Sequence, residues 1–248
     1  MKPTKSIYIL LSLFLISNCG ENLIEEVKER YDDGNMKVVE YYKKVGDTQT
    51  LVKKREYYET GEVEEESYYV NGELEGKYTE YYKNGKIEEE GTFKDGELEG
   101  KFTEYYETGE VEEENNYKDG KKDGKWIWYY ENGQIKFENN YKDGILNGKM
   151  ISYFENGQIE SDINYKNGEK VGKLTQYDDN GNLRYEVYYK NGKREGRLTN
   201  YSGTGQIVSE WNYKDGLEDG KWTYYNEDGS IIEELIYKDG ILIETKQY

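Results

Sequence analysis

Gly76, Gly100, Gly124, Gly148, Gly172, Gly196 and Gly220 stand 24 residues apart without a slip, and this period constrains the fold more than any other feature of the chain. A second series runs from Gly61 to Gly229 and a third from Gly72 to Gly240 with the same spacing. Together the three hold 23 of the 28 glycines. A fixed period of this length marks a repeat architecture, in which a unit too small to bury its own apolar face stacks on its neighbours. Upstream of Gly61 the register slips, because Gly34 lies 27 residues away. The extra residues fall in VGDTQT at 45–50, making the first unit degenerate, as terminal caps often are.

Within the unit that begins at Gly76, two runs rich in aromatic and β-branched residues flank Asn84-Gly85. Asn-Gly suits the positive φ angles of a type I′ turn, so each unit reads as a β-hairpin. A slightly longer loop is expected at Asp95-Gly96. With Asn84 and Gly85 as turn residues, Tyr82 pairs with Ile87, and Tyr78, Glu80, Tyr82, Ile87, Glu89, Gly91 and Phe93 share one face. The other face is polar apart from a column at Tyr57, Tyr81, Tyr105, Tyr129, Tyr153, Tyr177, Tyr201 and Tyr225, read as aromatic packing on the sheet. The expected fold class is all-β: an elongated, single-layered antiparallel meander of 24-residue hairpins. Eight units of two strands at about 4.8 Å make a right-twisted sheet on the order of 75 Å long.

The pattern of Gly-Lys, aromatic, Tyr-Tyr, Asn-Gly, Ile, then Tyr-Lys-Asp-Gly resembles the bacterial variant of the MORN repeat over about residues 28–248. An aliphatic column at Val63, Ile87, Val111, Ile135, Ile159, Leu183, Ile207 and Ile231 keeps the same register. The resemblance implies a sheet used for binding or assembly, not an enzyme. Some relatives carry labels borrowed from phosphoinositide kinases, which have such repeats beside a kinase domain, and no kinase motif occurs here. Other relatives carry an antitoxin label, which makes an immunity-type inhibitor of a toxin the alternative function.

The chain has no His, so it has neither a Ser-His or Cys-His nucleophile pair nor an imidazole metal ligand. No catalytic residue, cofactor site or metal site is nominated. Its net charge of -18 repels nucleic acid and anionic lipid surfaces. The one cysteine, Cys19, closes a segment in which Lys2 and Lys5 precede an apolar run from Ile7 to Ile16, too short to span a bilayer. Ile16-Ser17-Asn18-Cys19-Gly20 resembles a bacterial lipoprotein box, with Asn18 where a small residue is usual. The expected organisation is a signal segment at 1–19, a short linker at 20–30, and one repeat domain of eight to nine units at 31–248. The implied location is the bacterial cell envelope, on a membrane facing the periplasm or the cell surface, held through lipid on Cys19.

The Glu runs at 64–66, 88–90 and 112–114 alternate between faces and read as solvated, because Glu88 and Glu90 project away from Glu89. Asp178-Asp179-Asn180-Gly181-Asn182 lacks the ligand alternation of a calcium loop and reads as a turn. Residues 21–124 have a net charge of -15 and residues 125–248 a net charge of -5, placing a partner site in the more balanced distal half. There Trp126, Trp128, Tyr130 and Phe137 are expected on one face, and Trp128 and Phe137 stand where the two preceding units have Glu80, Glu104, Glu89 and Glu113. Large exposed apolar patches mark interaction sites. These four residues are the candidate platform for a protein or glycan; the alternative is that the sheet coils here and the rings pack on neighbouring units or on a second copy of the chain. The expected function is that of a non-enzymatic, lipid-anchored scaffold.

Overall fold

Two turns per unit shape the chain, and the computed structural model shows that they differ from each other. It describes residues 14–16 and 23–248, with side chains from residue 23 onward. At Asp95-Gly96 both residues have positive φ, 50° and 79°, and Lys94 lies opposite Glu97. This is the two-residue type I′ turn. At the other tip only Gly85 is left-handed, at φ 80°. Its N–H donates to the Tyr82 carbonyl at 2.8 Å, and Tyr82 N–H donates to the Lys86 carbonyl at 2.9 Å. That is a three-residue loop, a type I turn closed by a glycine bulge. The type I′ turn therefore belongs to Asp95-Gly96 and not to Asn84-Gly85. Asn84 contributes through its side chain instead: Oδ1 accepts from Lys86 N–H at 2.9 Å and Nδ2 donates to the Glu107 carbonyl at 3.1 Å.

This loop changes the register next to it. Tyr81, not Tyr82, pairs with Ile87, and a bulge separates that pair from Glu80 and Glu89. The same shift recurs at Tyr57–Val63, Tyr129–Ile135, Tyr153–Ile159, Tyr177–Leu183, Tyr201–Ile207 and Tyr225–Ile231. The tyrosine and aliphatic columns of the sequence are thus cross-strand partners at a bulge.

The chain forms two compact units, Met1–Glu110 with Tyr117–Gly120, and Val111–Asn116 with Lys121–Tyr248. In the first, Leu23–Arg30, Met36–Val45, Thr48–Tyr57, Val63–Val70, Glu73–Tyr81, Ile87–Lys94 and Gly100–Tyr105 pair antiparallel in chain order. The expected linker at 20–30 is corrected here, since most of it is the strand Leu23–Arg30. A three-residue strand, Phe14–Ile16, pairs with that strand. Cys19 and most of the signal segment lie outside the described residues. The VGDTQT insertion lengthens its hairpin, so that Val45 meets Thr48 across Gly46-Asp47.

In the second unit the meander continues in chain order through Gly124–Tyr129, Ile135–Lys142, Gly148–Tyr153 and onward to Ile241–Gln247. Its core lies on one face, where Ile163, Leu174, Val187, Leu198 and Tyr213 are buried against Met150, Tyr185, Tyr189, Trp211 and Trp222. Leu174 pairs with Val187, Val187 with Leu198 and Leu198 with Trp211. Each such aliphatic side chain stabilises by at most about 1.5–3 kcal/mol. The described residues include no helix.

Side chains beside the bulge tie each hairpin to the next. Tyr58 Oη donates to the Tyr81 carbonyl at 2.6 Å, and Tyr130 Oη to the Tyr153 carbonyl at 2.8 Å. At the opposite tip Gly96 N–H donates to the Leu74 carbonyl at 3.0 Å, and Asp95 N–H to Glu75 Oε2 at 2.9 Å. Asp215 N–H and Glu195 repeat the second bond at 2.9 Å.

Candidate binding face

The polar face is internally satisfied. Glu90 accepts from Lys77 at 3.0 Å within its own hairpin and from Tyr105 Oη of the next at 2.9 Å. These bonds, that to Lys77 foremost, hold its carboxyl below the ordinary range. Glu210 likewise accepts from Arg197 and Tyr225, and Glu234 from Lys221 and Tyr248. The tyrosine column is therefore a hydrogen-bonding column as well as an aromatic one. On Glu66, burial opposes ionisation, but Lys53, Tyr68 and Arg55 outweigh it and bring the carboxyl down to about 2. The Asp178 loop resolves as a turn, with Asp178 Oδ1 accepting from the N–H groups of Asn180 and Asn182 at 3.0 and 2.9 Å.

The core face changes character along the chain. In the first unit Glu56 lies opposite Glu65, Glu65 opposite Glu80, Glu80 opposite Glu89 and Glu89 opposite Glu104. Directly opposed like charges destabilise a sheet. Burial of Glu89, followed by the charges of Glu80 and Glu104, pushes its carboxyl up to about 7. The Glu runs do alternate along each strand, as expected. Across strands, however, Glu89 converges with Glu80 and Glu104, so the reading of these runs as solvated is corrected at this position.

In the second unit the same row reads Glu113, Trp128, Phe137, Ser152 and Ser161. Trp128 is 36% exposed. Its ring lies 5.2 Å from that of Trp126 and 6.2 Å from that of Phe137, and Trp126 lies 5.1 Å from Tyr141. Three of the four expected platform residues thus come together. Tyr130 is used differently, its hydroxyl taken by the Tyr153 carbonyl, and Tyr141 takes its place in the cluster. The ammonium of Lys122 lies over the Trp126 ring. Beside these rings Asn115 and Asn139 are buried, and Asn115 Oδ1, Trp126 Nε1 and Asn139 Oδ1 have no hydrogen-bond partner. Residue type alone gave no sign of these asparagines. The available signal was their position, since the same column holds Ile163 and Val187 in later hairpins.

The chain belongs to the MORN repeat variant family, whose pattern matches it eight times, at residues 53–71, 74–95, 98–119, 122–143, 146–167, 170–191, 194–215 and 218–239. Its sequence has no match among curated proteins. Among solved structures, the TcdB2-TccC3-Cdc42 complex is 11% identical over 88% of this chain and 16% of that one, with a TM-score of 0.22. The Tc holotoxin pore of Photorhabdus luminescens is 10% identical over 88% of this chain and 15% of that one, with a TM-score of 0.20. A Bacteroides fragilis protein of unknown function is 9% identical over 92% of this chain and 94% of that one, with a TM-score of 0.14. The chain spans about a sixth of the first of these. Likeness at this level carries no argument.

Proposed function

We propose that the chain is a non-enzymatic scaffold of the bacterial cell envelope, anchored by lipid on Cys19, that binds a protein or glycan partner on the core face of its second unit. The observation that carries this reading is Trp128, exposed within a ring cluster at a row position that Glu80 and Glu104 hold in the preceding hairpins. The repeat itself does not call for an aromatic residue there, and an exposed apolar cluster favours a partner. Support for the absence of catalysis comes from a sequence without His or a nucleophile motif. Support for the anchor comes from the order of Lys2, Lys5, the apolar run and Cys19.

Crosslinking in intact cells tests the binding. Trp128→Glu restores the carboxylate of the preceding hairpins, so partner capture falls while the melting temperature changes little. Unchanged capture with a large loss of stability overturns the reading and makes the rings internal packing. The anchor is tested with Cys19→Ser, which lowers the mass of the mature N-terminus by the lipid and frees the chain from the membrane fraction. Unchanged mass and fractionation refute lipidation.

A further inference from the structure

The buried polar atoms beside Trp128 specify a ligand chemistry more narrowly than the rings do. Glu113 lies opposite Trp128, and Trp126 lies opposite Asn139. Two residues along from the Glu113–Trp128 pair, Asn115 comes level with Trp126. Asparagine, tryptophan and asparagine thus occupy one row over three adjacent strands, with two amide oxygens and one indole N–H unanswered. Asn115 is 1% exposed and Asn139 9%, so the polar groups are buried at a cost in stability. The fold does not require them there. Hairpins further along place Ile163, Val187, Trp211 and Leu235 in the asparagine column, and Met150, Leu174, Leu198 and Trp222 in the tryptophan column. The Trp211 indole N–H is also buried without a partner, but an amide stands in this column only at Asn115 and Asn139. Polar atoms kept where aliphatic side chains suffice point to recognition.

The donor and acceptor inventory selects the ligand. A cation answers the two amide oxygens and Glu113 but leaves the Trp126 N–H unmet and faces Lys122 and Lys136, whose ammonium groups already lie over the Trp126 and Phe137 rings. An anion answers the N–H and the two ammonium groups but meets three oxygens of the wrong sign, two of them buried amide oxygens that need a donor. An apolar segment answers none of the three. A hydroxyl or acetamido group both donates and accepts, and the C–H face of a sugar ring suits an exposed indole.

Building on the scaffold reading, we propose that this cluster is the binding site for a neutral sugar chain. One ring lies on Trp128, and a neighbouring hydroxyl or acetamido group reaches Asn115 Oδ1, Trp126 Nε1 and Asn139 Oδ1. The Lys122 ammonium, carried on a flexible stem, gives up its place over Trp126 to the ligand.

The test is a titration of the full-length chain in detergent micelles with cellohexaose and with chitohexaose, followed by tryptophan fluorescence and calorimetry. Hexalysine and hexaglutamate serve as charged controls. At least one hexasaccharide is expected to bind saturably and to shift the fluorescence, while neither charged peptide does. Asn139→Leu then weakens binding by about tenfold or more, the loss expected for one hydrogen bond, and leaves the melting temperature equal or higher. Trp128→Ala weakens binding further. No binding of either sugar, binding unaffected by Asn139→Leu, or binding of the charged peptides alone overturns the proposal. So does a fall in melting temperature for Asn139→Leu, which makes the asparagine a structural group. Trp128-dependent capture of a partner in cells, with neither sugar bound in vitro, removes the sugar and leaves the scaffold standing.

Discussion

Replacing Glu89 with Gln should make the first unit more stable at pH 8 and leave it nearly unchanged at pH 5. Glu89 faces Glu80 on one neighbouring strand and Glu104 on the other. Tyr78 Oη donates to Glu80 at 2.8 Å. Burial and these carboxylates hold the Glu89 proton up to about pH 7, against an ordinary 4.5. A carboxyl raised in the folded state stabilises fully below 4.5 and loses that contribution as pH rises through 7. At about 1.4 kcal/mol per pH unit the difference is about 3 kcal/mol, and because Glu89 is only partly buried, solvent screening reduces it to about 1 kcal/mol. Urea unfolding of both proteins at pH 5 and pH 8 measures it. Other carboxylates titrate in both proteins, so the quantity to read is the difference between their pH dependences. An equal pH dependence in the two proteins, or a Gln variant less stable at pH 8, refutes the argument that the opposed carboxylates share a proton.

Three further outcomes follow from particular contacts. Glu66→Gln leaves Lys53 and Arg55 without their shared carboxylate, bonded at 2.7 and 2.6 Å, and should lower stability at pH 7 by about 1–3 kcal/mol in urea unfolding. Because the Glu66 carboxyl is held down at about 2, the loss should shrink as pH falls from 4.5 toward 2. Gly91→Ala drives a Cβ into the Phe102 ring and should cost about 1–3 kcal/mol. Adding Phe102→Leu should restore part of that in a double-mutant cycle. Tyr82→Phe removes the hydroxyl that donates to the Tyr105 carbonyl at 2.5 Å and should cost about 1 kcal/mol, with faster amide exchange around Tyr105.

The fold was legible because three glycine columns repeat one backbone requirement seven or eight times each and a tyrosine column keeps their register. Gly85 and Gly96 both need positive φ, and no other residue type meets that as readily. Which tip had which turn was not legible, because Asn-Gly and Asp-Gly both satisfy the type I′ rule. What separates them is loop length, since Tyr82 N–H closes on the Lys86 carbonyl across three residues whereas Lys94 faces Glu97 across two. The candidate site was legible to the extent that a change at matched positions showed in the sequence, as at Trp128 and Phe137. The displacement of Tyr130 follows from the bulge at Tyr129, and a strict two-residue alternation does not include bulges. The convergence of Glu80, Glu89 and Glu104 needed the register between hairpins, which no single strand contains.

Many of the bonds that join hairpins at their tips span 20 to 23 residues, just short of one period. Excising 24 residues from the middle of the second unit, from Ile159 to Asn182 for example, brings the Gly203 carbonyl to Asn156 Nδ2 in place of the Asp179 carbonyl. Unequal recombination between two copies of the repeat can therefore lengthen or shorten the gene without disturbing the bonds at the junction. Stability in such an array is a sum over units and their nearest neighbours. The number of hairpins is thus a quantity selection can adjust one step at a time, like links in a chain, while the chemistry at Trp126 and Trp128 remains local to the hairpin that contains it.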